Sequence, residues 1–378
     1  MTNIHMRNLL LIFVNFFVLF IIFTEIFPKA SYAQIEETLE AEVLNVVDQI
    51  ENETPLGMET TQTLELKIVK GVFKGDVITI DHNAIPSFGS YGNIYQKGEK
   101  VLVMYTHSED TGKIFTITDY SRYRSLYVLF AIFVLVSILG AGIWGIKSIV
   151  GLAYSFIIVF VYILPLIIKG YNPLLVTISG CFLIAPGTFT LSHGFNRKTY
   201  IALGATLVAL LITGVLATIS IGKIYLTGYA SEEASFISII NSEIDIQLLL
   251  LAGIIIGSLG ILDDATVSQS SIVSQLKNAN SELKGLELYK RAMQVGKDHI
   301  ASAVNTLVLV YVGAALPLMT LFLIDPSPYW EVLNYEIVAE EITRMLVSSI
   351  GLISAIPITT ALAVKFASGN DSGHTHNH

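Results

Sequence analysis

Hydrophobic residues follow three different rhythms along this chain. Residues near 125–146, 149–168, 172–192, 199–222, 246–263, 300–323 and 343–366 form long apolar runs, each close to the roughly 20 residues that a helix needs to cross a bilayer. Between 34 and 122 the runs are short. TQTLELKIV, GDVITID, EKVLVMYT and KIFTITDYS are rich in Val, Ile and Thr and are separated by Gly, Asn and Asp turns. That rhythm predicts strands and a small β domain, drawn as an open barrel. The third rhythm covers 264–298. There Val267, Ile272, Val273 and Leu276 recur at helical spacing, as do Leu286, Leu288, Tyr289, Ala292, Met293 and Val295 after a break at Gly285. Two short amphipathic helices are expected between the fifth and sixth spans. The predicted fold is an α-helical polytopic membrane bundle of about seven spans, with a small N-terminal extracytoplasmic β domain.

Composition strengthens that picture. The chain is 53% hydrophobic and only 14% charged, with a mean hydropathy of +0.64, where a soluble domain carries about 25% charged residues. Its first 33 residues carry Arg7, an apolar stretch over 9–23, and Ser31-Tyr32-Ala33 before Gln34. This is the grammar of a secretory signal peptide. An uncleaved signal anchor is the rival reading, since Glu25 and Lys29 separate the apolar stretch from the cut. Either way 34–122 is exported.

Charge orients the rest. Lys147, Arg197, Lys198, Lys277, Lys284, Lys290, Arg291, Lys297 and Lys365 fall in loops on one side, while Glu232, Glu233, Glu243, Asp245, Asp325, Glu331, Glu336, Glu340 and Glu341 fall on the other. Cytoplasmic loops collect bases, so the expected location is the cytoplasmic membrane, with the N-terminal domain outside and the C-terminus inside. Arg122 and Arg124 run against the pattern. The net charge of −9 is carried mostly by the exported part, where residues 34–124 hold 15 acids against 8 bases. Basic residues form no stripe, which argues against a nucleic-acid partner. A single cysteine, Cys181, excludes an intrachain disulfide.

The candidate chemistry lies at the span edges. Asp263 and Asp264 directly follow the apolar run 248–262, and Asp298-His299 directly precede the next. Asn305 would lie about 9 Å deeper than His299 on the same helix. Carboxylates and histidine at a membrane edge can relay protons or hold a cation. The competing reading makes Asp263 or Asp264 a helix N-cap, His299 an interface residue and Asn305 an interhelical hydrogen bond. His374, His376 and His378 are metal candidates, but they sit in a tail, 367–378, that reads as disordered. Small residues throughout the spans favour close helix approach, and Pro165, Pro186, Pro317 and Pro357 predict kinks. No internal repeat, cofactor motif, nucleophile elbow, zinc-protease motif or phosphate loop occurs. An enzyme is therefore not expected.

The runs GILDDATVSQ, KRAMQVGKDHIAS, NTL with YVGAALP, and SSIGL with Pro357 and Thr359-Thr360 resemble the YibE/F-like family of bacterial membrane proteins. The resemblance covers 125–366, and the exit of the β domain, ITDYSRYRS, is similar too. It implies a polytopic membrane protein and brings no established activity. Two functions stay open. One is a permease-like transporter or channel component handling a small solute or ion through Asp263, Asp264, Asp298, His299 and Asn305. The other is a membrane scaffold whose exported β domain binds an envelope protein.

Overall fold

The structure, a computed structural model, describes residues 36–54, 57–84, 93–108, 112–324 and 327–368. The signal segment at 1–33 and the tail histidines His374, His376 and His378 lie outside the described residues.

The β domain is a five-stranded antiparallel sheet of β1 (Glu36–Thr54), β2 (Gly57–Lys70), β3 (Val77–Ala84), β4 (Lys100–Ser108) and β5 (Gly112–Tyr120), in the order β3-β2-β1-β4-β5. Alternate residues fill one face: Leu39, Ala41 and Val43 from β1, Leu64, Leu66 and Ile68 from β2, and Val101 and Val103 from β4 are all fully buried. Burying each large aliphatic side chain contributes about 1.5–3 kcal/mol. The four strands expected from the sequence are present, but the central one, β1, was not among them.

The sheet is a half-barrel whose edge strands are joined by a segment rather than by each other. The Gln62 side chain accepts from the Tyr95 N–H (2.8 Å) and donates to its carbonyl (3.0 Å). His82 Nε2–H donates to the Asn93 carbonyl at 3.1 Å, Asn93 donates to Asp119 at 3.3 Å, and the Tyr120 hydroxyl donates to the Ile94 carbonyl at 2.7 Å. Burial holds the His82 imidazole below its ordinary pKa, against the opposing pull of the Asn93 carbonyl. At the domain's exit, buried Glu40 accepts from the Tyr123 hydroxyl (2.8 Å) and from Ser121 (3.3 Å), with Arg124 at 3.7 Å. These contacts tie β1 to the start of the first helix, α1 (Tyr123–Ala141).

The helices follow in order. A 26-residue apolar stretch contains α2 (Ile143–Ile158), a π-helical turn (Val159–Ile163) and α3 (Leu164–Ile168). Next come α4 (Pro173–His193), α5 (Arg197–Ile224), the short α6 (Glu232–Ile240), α7 (Ile246–Ala279) and α8 (Gly285–Ala314). The chain ends with α9 (Leu316–Ile324), α10 (Tyr329–Val332) and α11 (Glu336–Ser368). Asn172, Asn196 and Asp245 start α4, α5 and α7 by accepting a backbone N–H three residues on, as N-caps do. Among the described residues six helical segments are long and apolar enough to cross a membrane, or seven if α8 and α9, bent by 62° where they meet, count as one span. The bend falls just before Pro317, and the π turn falls just before Pro165. Pro186 and Pro357 lie inside the continuous helices α4 and α11.

Helix α7 is the hub, packed on α4, α5, α8 and α11. Its apolar half buries Leu250, Leu251, Ile254, Ile255, Leu259 and Leu262. Two expectations are corrected here. Asp263 and Asp264 cap no helix: they are the eighteenth and nineteenth residues of an unbroken 34-residue α7. The two amphipathic stretches are likewise not separate helices but the ends of α7 and α8, joined by a turn at 280–284. Physically, no glycine or proline stands between Gly260 and Gly285, so nothing stops the helix from propagating past the acids.

Candidate functional site

Polar side chains on α7 are of two kinds. Ser258, Thr266, Gln269 and Ser270 are buried and matched across helices. Ser258 and Ser348 share a hydrogen bond of 2.9 Å, and Thr266 and Thr206 share one of 2.6 Å. Gln269 donates to Thr360 (2.7 Å) and to the Ala292 carbonyl (3.1 Å), while Ser270 donates to the Lys198 carbonyl (3.0 Å). Lipid gives apolar helices no hydrophobic reason to associate, so neutral pairs of this kind hold the bundle together.

Asp263 is of the other kind. It stands where the apolar half of α7 gives way to the polar half, about 26 Å along the axis from the helix start. Its side chain is half-buried. Among the described residues its one hydrogen-bond partner is the hydroxyl of buried Thr188 on α4, which donates across 3.3 Å while also reaching the carbonyls of Ile184 and Ala185 at 3.1 Å. Among the described residues no cation pairs with Asp263. A carboxylate withdrawn from water with only a shared neutral donor is costly to ionise, so it gains most from a proton or a cation.

Asp264, the next residue, is exposed and close enough to His193 for their charges to interact. His193 is the last residue of α4 and lines a small cavity of about 110 Å³ together with Trp144, Lys198 and Ser271. Thus the C-terminal end of α4 faces α7 with a hydroxyl bonded to one acid and an imidazole within electrostatic reach of the other.

The remaining candidates stand elsewhere. Asp298 and Asn305 are exposed on α8, and His299 is half-buried there. Among the described residues none of the three is bonded to Asp263 or Asp264, and no group of three or more His, Cys, Asp or Glu side chains could hold a metal. Two residues of the arrangement were missed from sequence. In sequence Thr188 looks like ordinary span polarity, and His193 stands beside the basic loop of Arg197 and Lys198. The available signal was that TFTLSH ends an apolar run at the same membrane edge as Asp264.

Comparison with known proteins gives a consistent identity for both halves. The model of YibE/F-like protein matches residues 129–369, and that of the YibE/F family N-terminal domain matches residues 27–120. No curated protein and no solved structure matches the chain.

Proposed function

The chain belongs to the YibE/F-like family, and on that premise we propose that this membrane protein is permease-like rather than an enzyme, with Asp263 taking up and releasing a proton or small cation. The observation that carries this reading is the placement of Asp263: a carboxylate at the hub of the bundle, with one shared hydroxyl as partner and no counter-ion among the described residues. Asp264 and His193, the latter lining the small cavity at the end of α4, supply a route between that carboxylate and the aqueous edge. The basic loops support a cytoplasmic-membrane location with the β domain outside and the C-terminus inside.

The test is proton flux into pyranine-loaded proteoliposomes driven by a potassium diffusion potential. Wild-type protein is expected to acidify the lumen faster than empty liposomes. Asp263→Asn, which keeps the side chain's shape and can still accept from Thr188, is expected to remove that flux without lowering the melting temperature. Equal flux in the variant would sink the proposal.

One observation favours a second reading, in which the β domain docks an envelope protein. Among the described residues strand β1 pairs with β4 only over Glu36–Glu42 and its distal half has no strand on that edge, with Val47 58% and Ile50 50% exposed. Such an edge accepts an added strand. Val47→Lys with Ile50→Lys would abolish partner capture on that account and leave proton flux intact.

A further inference from the structure

A second cavity, of about 440 Å³, opens between the start of α5, the polar half of α7 and the end of α11. Its lining has one sign of charge. Arg197 and Lys198 approach from α5 and Lys277 from the last turn of α7, Ser274 and Asn278 also line it, and among the described residues no acid contributes. Ile201, Val273 and Ala363 provide an apolar wall.

Neutral groups fix the start of α5, and Lys277 donates to the Ser281 carbonyl at 2.6 Å. The Arg197 guanidinium donates to the carbonyl of Phe366 near the end of α11, and the Lys198 backbone carbonyl accepts from Ser270 on α7 at 3.0 Å. Neither contact cancels charge. Among the described residues no carboxylate pairs with Arg197 or Lys198. Arg197 and Lys198 beside one space repel one another, and an anion placed between them removes that repulsion. A planar guanidinium with flanking ammonium, hydroxyl and amide donors matches the several oxygens of a phosphate.

We infer that this cavity binds a phosphate group, presented either by an anionic lipid or by a soluble anion. Basic pockets between spanning helices take acidic headgroups, and the apolar wall suits the glycerol and acyl portion of a lipid. Asp263 and Asp264 do not line this cavity, although Lys198 also lines the smaller one beside His193.

The test uses full-length protein in phosphatidylcholine nanodiscs, with and without phosphatidic acid, and in a separate arm with inorganic phosphate. The readouts are the melting temperature and lipid retention by native mass spectrometry. A probe that binds only the folded protein raises the melting temperature. Phosphatidic acid alone producing the rise identifies a lipid headgroup, and inorganic phosphate alone producing it identifies a soluble anion. In either arm Arg197→Gln with Lys198→Gln weakens binding by about tenfold or more, whereas Lys147→Gln, away from the cavity, does not. Should the double variant fail to fold, Ser274→Glu places a carboxylate in the cavity and is expected to produce the same loss. Absence of a rise with both probes, or an equal rise in the cavity variants, overturns the inference and leaves these bases with an orienting role alone.

Discussion

Helices α7 and α8 are near mirror images in sequence and unlike in setting. Each runs through an apolar half and a polar half, in opposite order, and each carries an acid near the junction: Asp263-Asp264 in α7 and Asp298-His299 in α8. Helix α7 is enclosed by α4, α5, α8 and α11. Helix α8 buries only Leu288, Ala292 and Gly296, all in its first half. The same residue types therefore meet different dielectric surroundings. Asp298 remains exposed, whereas Asp263 is withdrawn from water against Thr188. The lesson is that the helices packed around an acid at the edge of an apolar run, not its place in the sequence, decide what surrounds it.

The strongest way to break this comparison is to exchange the roles of the two acids. Asp298→Asn and His299→Ala are expected to leave proton flux in proteoliposomes intact, in contrast to the loss expected from Asp263→Asn. Flux lost in the α8 variants would erase the distinction. Next in size is the buried amide. Gln269→Ala removes two interhelical hydrogen bonds and opens a void, with an expected cost of about 2 kcal/mol. Gln294→Ala, exposed on α8, is expected to change unfolding in detergent by less than about 0.5 kcal/mol.

A smaller effect separates the two halves of α8 itself. An added Cβ at Gly296 would stand 2.8 Å from Ile356 and 3.0 Å from Gln269. Gly296→Ala should therefore destabilise by about 1 kcal/mol. At Gly313 nothing lies within 4 Å, so Gly313→Ala should be neutral or stabilising in the same unfolding assay. The smallest effect belongs to the exposed Glu287–Arg291 pair at 2.9 Å. Arg291→Ala is expected to cost about 0.3 kcal/mol, a difference that fades at high salt.

The sequence carried the six to seven candidate spans because a run of about 20 apolar residues has few alternatives. It carried β2 to β5 because their side chains alternate. Strand β1 escaped for a physical reason: its ladder with β2 shifts register at Glu40/Ala41, Val43/Asn45 and Val46/Asp48, and each shift interrupts the period of two. Four glutamates at 36, 37, 40 and 42 further mask it, although Glu40 turns out to be buried and bonded to Tyr123. At the candidate site, Asp263 and Asp264 were legible as costly residues. Their setting inside one helix was legible only from the lack of a glycine or proline after Gly260, a weaker signal than the change from apolar to polar. The partners Thr188 and His193 lie about 70 residues earlier in the chain, and only the packing of α4 on α7 joins them to the acids.

Proton exchange at Asp263 is the central claim, and pH-dependent infrared difference spectroscopy of the protein in nanodiscs tests it without a known substrate. The account predicts a carboxyl C=O band in the wild type that rises and falls with pH, disappears in Asp263→Asn and persists in Asp298→Asn. Identical bands in all three proteins would contradict it, leaving Asp263 as a fixed polar contact between α4 and α7.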